Sequence, residues 1–237
     1  MIIETGRFIK MFADAGIELT DEQVYRLGMY SEMLVAWNEK INLTAITDPE
    51  GISIKHFFDS IYPFSLVEIP KGSTLIDIGT GAGFPSCPVK IWREDIKITL
   101  LDSLQKRITF LAQLSDTLSL GATCIHSRAE DLGRSPEFRE NFDFASARAV
   151  ANLSDLCEYC LPFVKVGGKF LALKGSDAGE EIKQAKDAVK LLGGKISHTA
   201  EYSLPNGDGR TLVVIDKVSP TPDKYPRNSA QIKKRSL

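Results

Sequence analysis

A glycine-rich segment after an apolar run carries the strongest chemical signal in the sequence. Residues 75–85 read LIDIGTGAGFP, with glycines at Gly79, Gly81 and Gly83. Glycines at this spacing let the backbone turn sharply and approach a ligand that a Cβ atom would push away. The proline that follows suits the first turn of a helix, and helix N-termini bind polar ligand groups. The segment therefore predicts a strand, a ligand-binding turn and a helix that opens on Pro85.

The residues around this turn narrow the class of ligand. Asp102 ends the second apolar run, 19 residues after Gly83, and an acidic side chain at that distance reaches ribose hydroxyls in such folds. Phe84 stands where a dinucleotide-binding turn has its third glycine, and no Lys-Ser or Lys-Thr pair follows as in a triphosphate-binding loop. S-Adenosylmethionine, which carries an adenosine but no phosphates, fits these residues. A plain tight turn is the structural alternative.

Ala129 and Glu130 follow the third apolar run. Because ligands of open α/β folds bind at the carboxyl edge of the sheet, we expect the adenine of the cofactor near these two residues. The alternative is that Glu130 and Asp131 only lie in the first turn of the next helix, where negative charge complements the helix dipole.

The fourth apolar run, which ends at Ala147, restricts the reaction. It lacks the Asp/Asn-Pro-Pro-aromatic cluster of methyltransferases that act on base amines, and it lacks the cysteine nucleophile that pyrimidine carbon methylation needs.

A methyl acceptor that remains compatible with these absences is guanine N7. This nitrogen already carries an accessible lone pair, so its methylation needs positioning and a polar environment rather than a general base. We therefore expect no catalytic residue. Arg148 is expected to bind the cofactor carboxylate or an RNA phosphate, with a surface salt bridge as the alternative.

These residues need a sheet to bring them together. Helical apolar spacing behind a Thr20-x-x-Gln23 capping signal predicts an N-terminal helical extension over residues 1–68. Seven apolar runs then predict strands in a core over residues 69–217, namely Thr74–Ile78, Lys97–Leu101, Ala122–His126, Phe142–Ala147, Lys169–Leu173, Ile196–Tyr202 and Thr211–Asp216.

The gaps between these runs predict the topology. The first five gaps are long enough for crossover helices, which indicates parallel strands, whereas the last gap is a short turn. Leu104, Ile108, Leu111, Leu114 and Leu118 form the apolar stripe of one crossover helix. The expected fold is α/β and Rossmann-like, with a seven-stranded, mostly parallel sheet that ends in a C-terminal antiparallel hairpin. A basic tail with little to bury follows over residues 218–237.

Composition limits the partners. The chain of 237 residues is 43% hydrophobic and has a net charge of −2, so any RNA contact must use local basic patches. We read the four cysteines as reduced, and expect helix packing rather than a metal for Cys157-x-x-Cys160, which has no second pair. No signal peptide or membrane-spanning run is evident, and we expect a cytoplasmic protein, with a monomer favoured.

Several motifs together resemble one family. They are Trp37-Asn38-x3-Asn42-Leu43-Thr44, His56-x2-Asp59-Ser60, the glycine turn, Ser127-Arg128-Ala129-Glu130, Arg148-Ala149, Lys174-Gly175 and Arg210-Thr-Leu212. The chain is similar in these motifs to the small-subunit ribosomal RNA methyltransferase G family, also called the glucose-inhibited division protein B family. The resemblance implies a cytoplasmic bacterial enzyme that methylates N7 of one guanine in the decoding-region loop of 16S rRNA, as naked RNA or in the small ribosomal subunit.

The resemblance also assigns residues. It carries cofactor contacts over to Gly79, Phe84, Ala129, Glu130 and Arg148, to which the turn and its spacing add Gly81, Gly83 and Asp102. It implies a patch at His56 and Asp59 that faces the substrate RNA. We also expect Asn38 and Asn42 at polar base edges, Lys174 and the basic tail at RNA phosphate, and Arg210 among the RNA contacts. The alternatives are that Trp37 packs in the core rather than stacking on a base, that His56 and Asp59 satisfy each other across one helical turn, and that the basic tail is only a solvated face.

Three other functions share some of these features. A nicotinamide dehydrogenase would use a similar turn, but the Tyr-x3-Lys pair of one short-chain form is missing. A non-catalytic RNA-binding module could retain the fold. A small-molecule methyltransferase would share every cofactor residue and differ only in the N-terminal helices and the tail.

The sequence also departs from the family pattern at four positions, namely Ser86, Ala147, Ala230 and Ser236.

Overall fold

The computed structural model describes residues 3–148 and 151–237, so Ala149 of the Arg148-Ala149 motif lies outside the described residues. The strands are β1 (Thr74–Ile78), β2 (Lys97–Asp102), β3 (Thr123–His126), β4 (Phe142–Arg148), β5 (Val164–Gly175), β6 (Gly194–Ser203) and β7 (Gly209–Lys217). They form one sheet in the order β3-β2-β1-β4-β5-β7-β6.

The strand pairing confirms the expected topology. The neighbours from β3 to β5 pair in parallel, whereas β7 pairs antiparallel with both β5 and β6. Within the described residues β7 is therefore the one strand of reversed direction, and it lies between the two strands that precede it in the chain. The prediction of β5 was too short, because Val164 already pairs with Phe142 ahead of a register shift.

The described helices flank the sheet. They are α1 (Thr5–Asp14), α2 (Asp21–Ile41), α3 (Pro49–Gly51), a π-helical segment (Ile52–Phe58), α4 (Asp59–Ser65), α5 (Ser86–Trp92), α6 (Gln105–Thr117), α7 (Ala129–Leu132), α8 (Leu153–Cys160), a 3₁₀ segment (Leu161–Phe163), α9 (Gly179–Leu191) and α10 (Ser229–Lys234). Among the described residues no helix has both the length and the apolar character that crossing a bilayer requires.

The alternation of side chains along the strands creates two cores. One face, with Leu75, Ile98 and Leu171, packs against α1, α2, the π-helical segment, α4, α5 and α6. The other face, with Ile76 and Phe170, packs against α8 and α9. The N-terminal extension therefore shares its core with one face of the sheet.

α2 begins as its sequence predicts. Thr20 and Gln23 form a complete capping box, which satisfies backbone N–H groups at the helix start. Leu27 is fully buried, and Trp37 packs on Phe110 with ring centroids 5.6 Å apart, as the packing alternative expects. α2 thus presents a packed apolar stripe to the sheet.

Two local predictions were wrong. Leu104 is 42% exposed because it is the N-cap residue of α6 rather than part of its buried stripe. Pro85 is likewise the N-cap of α5, which begins at Ser86. In both places the loop that follows the strand continues one residue further than the sequence pattern indicates.

The tail is packed, so the prediction that it has little to bury was wrong. Tyr225 and Ile232 are buried, and Arg227 forms a salt bridge with the buried carboxylate of Glu158 in α8. Five of its 20 residues are basic, yet four buried residues, Thr221, Tyr225, Pro226 and Ile232, are enough to hold this short segment against the core.

All four cysteines are free, and Cys157 and Cys160 are fully buried in the core beneath the sheet. Helix packing is therefore their role, as predicted. In the part of the chain that the structure describes, no group of three or more His, Cys, Asp or Glu side chains is arranged to hold a metal ion.

Candidate active site

A cleft opens at the carboxyl ends of β1, β2 and β3. Its volume is about 140 Å³, and we call it the cofactor cleft. It is lined by Ile78, Gly79, Leu101, Asp102, Ser103, Ser127, Arg128, Ala129, Glu130, Leu156, Tyr159, Ser229 and Lys233. Of the residues expected to contact the cofactor, Gly79, Asp102, Ala129 and Glu130 thus come together here.

Gly81 and Gly83 have different neighbours although both have a positive φ, of 62° and 97°. A Cβ atom on Gly81 would meet nothing closer than the Gly79 carbonyl oxygen at 4.0 Å, so this part of the turn is open to a ligand. A Cβ atom on Gly83 would lie 2.6 Å from Tyr30 Oη and 2.8 Å from Cys87 Sγ. Gly83 therefore serves close packing, away from the cleft.

Asp102 holds the turn in place. Its Oδ2 accepts hydrogen bonds from Gly81 N at 3.0 Å and Arg107 Nη1 at 3.2 Å, while Oδ1 accepts one from Leu104 N at 2.9 Å. A carboxylate offers about four acceptor positions. One position thus stays available to a ribose hydroxyl, as the sequence interpretation requires.

Phe84 lies behind the cleft in an aromatic stack. Its ring stacks on Tyr30 at a centroid distance of 5.2 Å and on His56 at 4.3 Å, and Arg148 Cζ lies 5.0 Å from its centroid. We call these four residues the Phe84 stack. The Tyr30 hydroxyl also donates a hydrogen bond to the carbonyl of Ala82. The N-terminal extension therefore supports the glycine turn from below.

A second cavity, of about 330 Å³, opens beside the first at the ends of β4 and β5 and the start of β7. Its lining is rich in cationic side chains, and we call it the basic cavity. It is formed by Ile46, Lys55, His56, Asp59, Arg148, Leu173, Lys174, Gly175 and Arg210. Four of the six residues expected to face RNA thus come together here, joined by Arg148.

Asp59 is the anionic centre of the basic cavity. Arg210 Nε donates to both carboxylate oxygens at 3.1 Å, and Arg148 Nη1 lies 3.7 Å from Oδ2. Asp59 and His56 do not pair with each other, because each has other partners. Arg148, expected at the cofactor carboxylate or an RNA phosphate, lies in this cavity and donates to the Lys55 carbonyl at 3.1 Å.

His56 is held as a neutral ring. Burial, and then the charge of Arg148, lower the pKa of its imidazole to about 3. Thr44 Oγ1 lies 2.9 Å from Nε2, and Arg148 Nη2 lies 3.5 Å from Nδ1. Because the arginine can only donate, Nδ1 is assigned as the acceptor and Nε2 as the protonated nitrogen. Such a ring is a poor proton acceptor at neutral pH.

The remaining predicted RNA contacts have internal partners. Asn38 Oδ1 accepts from Thr44 N at 2.8 Å, and Asn42 caps α2 in a left-handed conformation. Lys174 Nζ donates to the Ala151 carbonyl and pairs with Glu181, both at 2.8 Å. Asn38 and Asn42 do not line the basic cavity. Asn38 is linked to it indirectly, because Asn38 binds Thr44 and Thr44 contacts His56, which is a lining residue.

Asp77 is a site residue that the sequence interpretation missed. It is fully buried below the glycine turn, where the hydroxyls of Thr80 and Ser146 donate to its carboxylate at 2.7 and 2.8 Å. Burial raises the pKa of this carboxyl to about 6. An acidic residue inside an apolar strand was the available signal. Ser229 and Lys233, which line the cofactor cleft, were also missed. Their spacing in the sequence does not indicate that they lie near Glu130, about a hundred residues earlier in the chain.

Comparison with solved structures places this architecture in a known class. A chain of the complex between the Haloferax volcanii Trm112 methyltransferase activator and a putative methyltransferase aligns with a TM-score of 0.59 at 14% identity, over 78% of this chain and 98% of that one. A SAM-dependent methyltransferase from Aquifex aeolicus aligns with a TM-score of 0.51 at 15% identity, over 73% and 96%. The chain therefore has the Rossmann-like fold that these methyltransferases share.

Sequence comparison identifies the family. The model of the rRNA small subunit methyltransferase G family matches residues 23–208. The ribosomal RNA small subunit methyltransferase G of Leuconostoc mesenteroides is 49% identical over 97% of this chain and 98% of its own length, and that of Exiguobacterium sibiricum is 47% identical over 94% of each. The chain belongs to the rRNA small subunit methyltransferase G family, and it is an S-adenosylmethionine-dependent rRNA methyltransferase.

Proposed function

We propose that the protein transfers a methyl group to N7 of a guanine in the decoding-region loop of 16S rRNA, with the cofactor in the cofactor cleft and the guanine in the basic cavity. One observation carries the proposal. The neighbouring strands β1 and β4 pair in parallel up to Asp77 and Ser146, and the last residue of each lines a different cavity: Ile78 lines the cofactor cleft and Arg148 the basic cavity. Adjacent strands lie about 5 Å apart. A methyl donor and an acceptor base in the two cavities are therefore neighbours.

The residues of the cofactor cleft fit S-adenosylmethionine. Gly81 leaves the backbone open, Asp102 retains an acceptor position, and Glu130 lies at the start of α7 beside Ala129. These residues match the nucleoside contacts expected at the carboxyl edge of such sheets. When bound, the cofactor supplies an electrophilic methyl group on a sulfonium.

The basic cavity supports a reaction without a general base. Histidine and aspartate side chains are common general bases in enzymes, but both of those in this cavity already have partners. His56 is neutral and lies between Thr44 and Arg148, and Asp59 forms an ion pair with Arg210. Guanine N7 needs no proton removed before it attacks a methyl group. This favours N7 over the exocyclic amines and ring carbons, which need a base or a nucleophile.

Asp59 also suits the charge that develops. Methylated N7 makes the guanine cationic, and among the described lining residues of the basic cavity Asp59 is the one carboxylate, which offsets part of the positive charge of the cationic side chains there. The paired arginines keep Asp59 in one position, so the carboxylate needs no reorganisation during the reaction. We expect Asp59 and Arg210 to act as positioning residues.

The test is transfer of isotope-labelled methyl from S-adenosylmethionine to small ribosomal subunits and to deproteinised rRNA that both lack the modification. Nucleoside mass spectrometry should find the label in N7-methylguanosine. We expect Arg210→Ala to lower kcat/KM for RNA at least tenfold while the affinity for S-adenosylhomocysteine stays unchanged, since a buried Asp59 would lose its partner.

Lys195→Ala is the matched control, because Lys195 is an exposed residue near the start of β6, at the opposite edge of the sheet. Label on another nucleoside would contradict the N7 assignment. Label on neither RNA, with the cofactor still bound, would favour a small-molecule substrate. The two RNA substrates also decide between naked RNA and the assembled subunit. We propose a cytoplasmic protein, supported by the rRNA substrate in the relatives' names. We also propose that it is a monomer, which chromatography with light scattering tests.

A further inference from the structure

The C-terminal segment after Arg227 lines the cofactor cleft. Ser229 and Lys233 of α10 are lining residues of that cleft, together with Gly79, Asp102 and Glu130. They lie four residues apart and therefore on the same face of the helix. Ile232 is buried on the side that faces the core. This segment lies beyond residues 23–208, the part that the family model matches.

The segment is held most firmly at its start. Between Thr221 and Pro226 its carbonyls accept hydrogen bonds from two arginines, Arg134 and Arg139. Arg227 then pairs through its backbone N–H and guanidinium with Glu158, whose side chain is fully buried. Beyond Arg227 the contacts are weaker. Ile232 is the one buried side chain of α10, Ser236 Oγ accepts a 3.4 Å hydrogen bond from Asn152 Nδ2, and Leu237 is partly buried against the core.

The cofactor cleft is smaller than a typical ligand site, which bears on the attachment of α10. Its volume of about 140 Å³ is below the range of roughly 300–1,000 Å³ that is typical of ligand sites. The walls from β1, β2 and β3 are hydrogen-bonded in the sheet, and the wall from α8 includes the fully buried Leu156. α10 buries a single side chain, so a shift of α10 about the anchor at Arg227 would enlarge the cleft without breaking the sheet.

We infer that α10 is the mobile outer wall of the cofactor site and that Lys233 contacts the bound nucleoside. This inference rests on the proposed position of the cofactor. Lys233 has no salt-bridge partner within the described residues, and its ammonium has three donors for the ring nitrogens and hydroxyl oxygens of adenosine. α10 moves outward to admit the cofactor and closes on it, so the tail belongs to the cofactor site rather than to a separate RNA-binding arm.

The chain offers a matched pair of variants for the test. Lys233→Ala and Lys234→Ala remove the same charge from neighbouring positions of one helix, but only Lys233 lines the cleft. Calorimetry with S-adenosylhomocysteine, without RNA, should show affinity weakened roughly three- to tenfold by Lys233→Ala, as for loss of one hydrogen bond. Lys234→Ala should leave the affinity at the value of the unaltered protein.

Equal affinities in both variants and the unaltered protein would overturn the inference, as would equal losses in both. Failure of the unaltered protein to bind S-adenosylhomocysteine would instead refute the proposed cofactor position.

A second measurement uses the unaltered protein and needs no substitution. Trypsin cleavage after Lys233, Lys234 or Arg235, followed by mass spectrometry, should slow roughly tenfold or more at saturating S-adenosylhomocysteine, because the ligand favours the closed tail. A cleavage rate that the ligand leaves unchanged would also overturn the inference.

Discussion

Gly83 is held in place by packing rather than by a ligand. A Cβ atom there would overlap Tyr30 Oη and Cys87 Sγ in a fully buried region, at a φ of 97°. We expect Gly83→Ala to lower the free energy of unfolding by about 2–4 kcal/mol, from backbone strain and overpacking together. Denaturant unfolding at pH 7 measures the change.

Gly81→Ala is the counterpart in the same turn. Its Cβ atom would point into open space, so only the strain of a positive φ acts, at about 1–2 kcal/mol. We expect a folded protein whose affinity for S-adenosylhomocysteine falls more than its stability suggests. Equal stability losses in the two variants would contradict the different roles of these glycines.

Asp77 gives the protein a pH-dependent term in its stability. Because burial raises the pKa of its carboxyl from 3.8 to about 6, the folded state holds this proton more tightly than the unfolded state. The stabilisation is therefore complete below about pH 4 and is lost as pH rises through 6.

Asp77→Asn keeps a neutral side chain at every pH. We expect the unfolding free energy of the variant, relative to the unaltered protein, to increase by about 2–2.5 kcal/mol between pH 4 and pH 8. Urea unfolding of both proteins across this range measures the difference. A difference that stays constant with pH would show that Asp77 has an ordinary pKa in the folded state.

The strands were the most predictable elements. Each of the seven runs became a strand. In central strands such as β1 and β7, burial on both faces demands continuous apolar sequence, whereas the edge strands β3 and β6 are largely exposed. Element ends were less predictable, because Leu104 and Pro85 take up cap positions that depend on the loops before them. The tail could not be predicted from composition, because its attachment depends on one buried carboxylate, Glu158, far away in the chain.

The candidate site divides in the same way. The turn around Gly79 and the acid at Asp102 could be predicted, because strand ends and their spacing place them at one edge. The position of Arg148 in the basic cavity could not, since it depends on the side-chain contacts with Asp59 and Phe84 that come from other elements.

The Arg227–Glu158 pair is the anchor of the tail. Arg227→Ala would leave a fully buried carboxylate without its guanidinium, which costs about 3–5 kcal/mol of stability. We expect the double variant Glu158→Gln with Arg227→Ala to recover part of the loss, because the buried charge is then gone. Thermal and urea unfolding of the single and double variants test this. Full additivity of Arg227→Ala with Glu158→Gln would contradict direct pairing.

The whole molecule is slightly acidic, with a net charge of −2, so its affinity for RNA must come from local basic surface. Lys55 lines the basic cavity, and its side chain is 37% exposed beside Asp208. We expect Lys55→Gln to reduce the slope of log affinity against log salt by up to about one. Lys195→Gln, at the opposite edge, should leave it unchanged, and filter binding across a salt series measures both slopes.

The position of β7 between β5 and β6 has a consequence for synthesis of the chain. β6 is complete before β7 exists, and within the described residues its sheet partner is β7. Until β7 is made, β6 has no strand to pair with, and β5 is an edge strand with unpaired backbone groups. Exposed edges of this kind promote aggregation. The turn between the hairpin strands, residues 204–208, is short. At ribosomal rates of about 5–20 residues per second, β7 follows within a few seconds. A long insertion in this turn would therefore harm yield before it harmed activity.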